Sequence, residues 1–183
     1  ATASLRLPVE AEAAPAPEPA PGDLARALRF NDYGIGMLLQ GDLRAAEATF
    51  TAVARLAPEY VDAPVNLARV RIREGDPEGA LEALETALGL VPRLPRALFF
   101  RSMALKALGR YDDALADLRT VQETYPRDRV VNNQVGRLLF MKREYAEAVS
   151  VLQQTLSIDP EDLEAHYNLM LASQGLRDFE RAN

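Results

Sequence analysis

From residue 24 onward the apolar residues of this chain fall into amphipathic blocks, each a few helical turns long, separated by breaks of three to five polar, glycine or proline residues. The spacing predicts helices over 24 to 39, 43 to 56, 61 to 73, 77 to 89, 95 to 108, 112 to 124, 129 to 141, 145 to 157 and 163 to 175, with a stub from 179. Asp23 is placed to cap the first of them. The breaks alternate in kind. Gly41, Gly75 and Gly109 end every other helix at a constant step of 34 residues, and Pro58, Pro92, Pro126 and Pro160 keep the same step. Glycine tolerates positive φ, so the chain can reverse there and start an antiparallel partner. Asp42 and Asp76 follow at once, where a short carboxylate accepts the free amides of the next helix.

The same step organises the core. With units starting at 27, 61, 95, 129 and 163, the twentieth position is Ala46, Ala80, Ala114, Ala148 and Ala182, which lets helices approach closely. The twenty-fourth is Phe50, Leu84, Leu118 and Leu152, large enough to fill the space between hairpins. The eighth is Gly34, Ala68, Ser102 and Gly136, departing as Met170. A period of ~34 residues with these features predicts stacked helical hairpins, none of which buries its core alone.

These residues resemble the tetratricopeptide repeat family, whose small residues at positions 8 and 20, glycine at 15, large residue at 24 and proline at 32 all match. Departures are Pro64 and Asn132 at the usual aromatic position 4, Arg101 at position 7, and Arg143 and Arg177 in place of the turn glycine. The resemblance implies an all-α, right-handed α-solenoid of antiparallel helix hairpins with about four and a half repeats. They are expected at 27–60, 61–94, 95–128, 129–162 and, in part, 163–183, within an array over 23–183.

In this family the first helix of every unit lines the concave face, mainly at positions 2, 5, 6, 9, 12 and 13. Carried onto this chain, that face holds the cations Arg69, Arg73, Arg96, Lys106 and Arg137 against the anions Asp32, Asp62 and Glu164, a balance of +2 on a chain of −6. Cations around exposed aromatics suit an acidic, extended peptide with some apolar side chains. The candidate peptide-binding residues are Asn66, Arg69, Arg73, Arg96, Phe99, Phe100, Met103, Asn133, Gln134, Arg137 and Phe140. Asn66, Gln134 and Asn168 share position 6, which in related arrays meets ligand backbone, while Phe100 interrupts that ladder. The pattern by which one subfamily grips a C-terminal carboxylate is met only by Asn66 and Arg96, so the ligand is expected to lie along the groove.

Composition narrows the classes. At 48% hydrophobic and 26% charged the chain has the make-up of a soluble domain, and its net charge of −6 argues against general nucleic-acid affinity. The apolar runs fall far short of the ~20 residues that span a bilayer. Cysteine is absent, so no disulfide or thiolate chemistry is available and the compartment cannot be read. Gly34-Ile35-Gly36 lacks both a preceding strand and the third glycine of a dinucleotide loop, where Leu39 stands. His166 is the only histidine and is expected to pack, and Asp112-Asp113 and Glu161-Asp162 to cap helices, so neither an enzyme nor a cofactor or metal is expected.

Residues 1–22 have a linker composition, with EAEAAPAPEPAP from Glu10 to Pro21 predicted to be extended polyproline II, and Ser4 to Val9 able to pair as a short strand. Glu10, Glu12 and Glu18 make this tail a weak ligand for a basic groove, in cis or in trans. The expected role is a non-catalytic protein–protein interaction scaffold. Two alternatives stand beside it: self-association through the uncapped C-terminal repeat, and an accessory domain of a larger enzyme or redox protein.

Overall fold

The computed structural model describes residues 21–182, and the expectations for the tail before Pro21 lie outside them. Nine helices follow one another among the described residues: α1 (Pro21–Gln40), α2 (Leu43–Leu56), α3 (Asp62–Glu74), α4 (Pro77–Leu90), α5 (Pro95–Ala107), α6 (Tyr111–Thr124), α7 (Arg129–Met141), α8 (Tyr145–Ile158) and α9 (Leu163–Ala182). Their starts are chemically defined. Asp42 accepts the amide of Ala45 at 3.0 Å, Asp76 that of Gly79 at 2.9 Å, and Asp128 that of Val131 at 3.0 Å, each satisfying a donor the helix leaves free.

The hairpin turns explain the 34-residue step. Gly41, Gly75 and Gly109 have φ of 83°, 79° and 74°, and Arg143 adopts the same left-handed conformation with φ of 64°. The amides of Asp42, Asp76, Arg110 and Glu144 then bond back to carbonyls five residues earlier, closing the end of each first helix.

Within a hairpin, the eighth and twenty-fourth positions meet. A Cβ on Gly34 would lie 2.8 Å from the Phe50 ring, and one on Gly136 would lie 2.6 Å from Leu152. The glycines therefore admit the large side chain against helix backbone, and Phe50, Leu84, Leu118 and Leu152 are all buried. Phe50 also packs with Val70 of the next hairpin, so one residue closes both its own unit and the junction.

Successive first helices run parallel and in register. Asn31 pairs with Asn66, the Leu38 carbonyl with Arg73, and Asp62 with Arg96, each offset by one repeat or one residue more. First helices touch at α1–α3, α3–α5 and α7–α9, whereas the second helices α2, α4, α6 and α8 pack chiefly on their neighbours in sequence, the Arg119–Glu147 ion pair reaching from α6 to α8. Crowding on one side and splaying on the other curves the stack, with the first helices inside.

The departures from the sequence pattern each have a local partner. Arg101 forms a two-pronged pair with Asp117, at 2.7 and 2.6 Å, and Asp117 is buried. Asn132 donates to the Pro126 carbonyl at 3.1 Å, and His166 bonds the equivalent Pro160 carbonyl at 2.8 Å. His166 is thus exposed and ties down a loop rather than packing in the core. Asp162 caps α9 through the Ala165 amide as expected, but Asp112 and Asp113 face Lys142 and Arg110 instead of capping.

Two boundaries differ from the sequence reading. Helix α1 begins at Pro21, so Asp23 lies in its first turn, where it still favours the helix N-terminus, and is not its cap. Helix α9 runs unbroken to Ala182, so Arg177 makes no turn and no separate stub forms at 179. An arginine is strained in the left-handed conformation. Arg143 adopts it at the turn into α8, whereas at Arg177 the helix continues, which satisfies its backbone without that strain.

Candidate peptide-binding groove

Because a helix places residues three and four apart on one face, each inner helix presents a short stripe to the concave side. In α3 and α5 that stripe is cationic and aromatic. Arg69 lies over the Phe100 ring at 5.5 Å and donates to the Asn66 side chain at 3.1 Å. Phe99 and Phe100 meet edge to face at 5.6 Å. Arg96, at the start of α5, bonds Asp62, and Arg73 donates to the Leu38 carbonyl at 2.7 Å.

The aromatic pair has a geometric consequence. Positions 5 and 6 hold Asn31 and Asp32 in α1 and Val65 and Asn66 in α3, which touch, but two phenylalanines in α5. Helices α5 and α7 approach less closely than the other inner neighbours, and a cavity of about 610 Å³ opens there. Phe99, Phe100, Val130 and Val131 contribute its apolar wall, with Arg69 and Arg96 on the α3 side. Lys106 spans the α5–α7 gap further along, donating to Gln134 at 2.8 Å.

Burial and neighbouring charge act together on these cations. Burial, then repulsion from Arg96 and Arg73, lowers the pKa of Arg69 below the usual guanidinium value. Burial, then repulsion from Arg137, lowers that of Lys106, with Glu164 opposing. Neither Arg69, Arg73 nor Lys106 has a carboxylate partner among the described residues.

The C-terminal stretch of the groove is built differently. Arg137 stands 3.9 Å from Glu164, and a second cavity of about 350 Å³ is lined there by Phe140, Met141, Tyr167 and Asn168. Burial works against ionisation of Asp162, but the Ala165 amide, Asn133 and Arg129 together hold its carboxyl below the usual range. Asn133 Oδ1 and Asn168 Nδ2 are buried without hydrogen-bond partners among the described residues, in the same register that closes Asn31 on Asn66 at 2.9 Å.

The structure thus brings Arg69, Arg96, Phe99 and Phe100 around one cavity and Arg137 and Phe140 around another, with Gln134 tied to Lys106 between them. Arg73 is exposed at the far end of α3, and Met103 is half-buried without lining either cavity. Asn66 and Asn133 differ from the expectation of side chains offered to a ligand. Each is 2% exposed and bonded within the array, to Asn31 and Asp162, because a buried amide needs a partner. Sequence reasoning did not single out Tyr125 and Asp128, which border the larger cavity from the end of α6 and the cap of α7. Their signal is position: both flank Pro126, just before a groove-lining helix.

A family model for the tetratricopeptide repeat matches residues 65–129 and again 99–163, together more than half the chain, and a second such model matches 37–88. The chain belongs to the tetratricopeptide repeat family. Among curated relatives, the BBSome complex member BBS4 of Bos taurus is 25% identical over 145 residues, 79% of this chain and 28% of that protein. The FK506-binding protein-like protein of Rattus norvegicus is 32% identical over 82 residues, 45% of this chain and 24% of that protein. The chain therefore spans only about a quarter of these relatives.

Solved structures share the fold. MamA superposes with a TM-score of 0.71 at 20% identity, over 81% of each chain. PilF of Pseudomonas aeruginosa gives 0.74 at 21% identity, over 88% of this chain and 78% of that one. YrrB, a tetratricopeptide repeat protein with an unusual peptide-binding site, gives 0.68 at 23% identity, over 79% and 75%. Tetratricopeptide repeat proteins generally mediate protein–protein interactions, and the homologues are typically non-catalytic scaffolds. No group of three or more His, Cys, Asp or Glu side chains able to hold a metal ion occurs among the described residues, nor any helix long and apolar enough to cross a membrane.

Proposed function

We propose that this array is a scaffold module that holds an extended acidic segment of a partner protein in its concave groove. The observation that carries this reading is the set Arg69, Arg73 and Lys106, three inner-face cations without carboxylate partners among the described residues, on a chain of net charge −6. Holding unpaired, mutually repelling cations beside aromatic surface costs stability, and a bound carboxylate offsets that cost. Phe99 and Phe100 add apolar surface for side chains between the acidic residues. The peptide-binding site named for YrrB supports such use of this fold. Recognition of a short extended segment is expected at tens of micromolar to micromolar, since ordering the ligand opposes the contacts.

The test is affinity capture with the intact native protein, wild type against Arg69→Glu/Arg137→Glu, read by mass spectrometry. The reading expects partners that are retained by the wild type, share acidic segments and are lost from the variant; partners captured equally by both would refute the groove assignment.

A further inference from the structure

The cavity between α5 and α7 has two unlike walls. Phe99, Val130, Val131 and Tyr125 make one side apolar, while Arg69 and Arg96 stand on the side toward α3. The carboxylate on its rim, Asp128, is engaged as the cap of α7. A matching ligand carries a large apolar side chain followed within a few residues by carboxylates. A purely acidic peptide would leave the apolar wall wet, and a purely apolar one would bring no carboxylate to Arg69, whereas Arg96 already bonds Asp62.

The chain itself contains such a segment. Residues 7 to 12 read Leu7-Pro8-Val9-Glu10-Ala11-Glu12. They precede α1, which begins at Pro21, and since the inner helices run parallel, that end of α1 opens on the same edge of the array as the starts of α5 and α7. The twelve residue steps from Val9 to Pro21 reach up to about 40 Å when extended. Crossing from α1 past α3 to the far side of α5 needs about 25 Å at the usual spacing of packed helices. The order of the residues also fits. Leaving α1, the segment would pass α3 with Glu12 and Glu10 level with Arg69, and only then bring Val9 and Leu7 to the apolar wall.

We propose that residues 7–12 dock in cis into the α5–α7 cavity, Val9 or Leu7 against Phe99 and Val130 and Glu10 and Glu12 against Arg69 and Arg96, so that the chain carries its own competitor for the groove. This rests on the reading of the groove as a holder of acidic segments. Pro8 lowers the entropy lost on binding by fixing one φ. A tether of this length gives an effective concentration on the order of 1 mM, so an intrinsic dissociation constant of about 0.1 mM would weaken an outside peptide about tenfold.

The chain has no cysteine, so Ala13→Cys supplies a single nitroxide site on this 183-residue chain. Amides of Arg96 to Phe100 and of Val130 and Val131 should lose NMR intensity, while those of α4 and α8 keep it. The loss should survive tenfold dilution and disappear in Leu7→Asp/Val9→Asp, whose changes precede α1 in the sequence. No loss at the cavity overturns the proposal, and a loss that fades on dilution assigns the contact to a second copy and overturns docking in cis. A second arm separates this from the groove reading. A synthetic peptide of residues 5 to 14 is titrated into both chains and should bind Leu7→Asp/Val9→Asp about tenfold more tightly than wild type. Shifts at the cavity with equal affinity for both chains would sink the tail proposal and leave the groove standing; no shifts in either would sink both.

Discussion

The inside of each hairpin and the face of the groove are built from the same repeat, yet they use it in opposite ways. Gly34 beneath Phe50 and Gly136 beneath Leu152 are one contact made twice, three repeats apart, with nearly the same clearance. On the groove, the equivalent positions hold an asparagine pair between α1 and α3, two phenylalanines on α5, and asparagines between α7 and α9. A packed interior has a fixed volume and admits few solutions, so it repeats. A face open to solvent has no such constraint, and the residues that break the period there are the ones that can distinguish one partner from another.

That contrast is breakable. The largest effect belongs to the interior: Leu152→Ala should lose about 3 kcal/mol by denaturant unfolding. Gly136→Ala should cost about 2 kcal/mol by overpacking, but less than half of that once Leu152→Ala has emptied the space above it. Additive costs would show that the two do not share one volume. Next comes the pair on α5 and α6. Asp117→Ala should cost about 2 kcal/mol, because it strands the partly buried Arg101 guanidinium, whereas Arg101→Leu/Asp117→Leu should come out near wild type.

On the groove the ranking of readouts reverses. Arg69→Glu should change unfolding free energy by less than about 0.5 kcal/mol while weakening an acidic peptide at least about tenfold, or ~1.4 kcal/mol. The smallest effects test the turn position. Arg143→Gly should stabilise by about 0.7 kcal/mol, since glycine relieves the left-handed strain, and Arg177→Gly should destabilise by a similar amount within α9. Equal signs in the two thermal melts would mean that the two arginines occupy the same conformation.

The fold was legible wherever the period was obeyed. Turn glycines, Asp42 and Asp76 as caps, and the large residue at position 24 each follow from a local rule that holds in every environment the array offers. Legibility failed where a residue's role depends on what lies across a junction. Nothing beside Arg101 in sequence points to Asp117, and Arg177 stands at the turn position of the repeat although α9 continues through it. At the groove, Arg69, Phe99 and Phe100, named from sequence, line one cavity. Sequence could not foresee that Asn66 and Asn133 would be consumed in buried bonds, nor that Tyr125 would reach the cavity from the preceding helix.

The central claim is that inner-face cations with no carboxylate partner among the described residues select an acidic, partly apolar segment. Calorimetric titration of the full chain with a short peptide of two leucines followed by three glutamates, beside the same peptide with glutamines, tests it most directly. The account predicts binding in the tens of micromolar that weakens with salt, is lost with the glutamine peptide and is lost in Arg69→Glu. Equal affinity for both peptides, or affinity unchanged by Arg69→Glu, would contradict it.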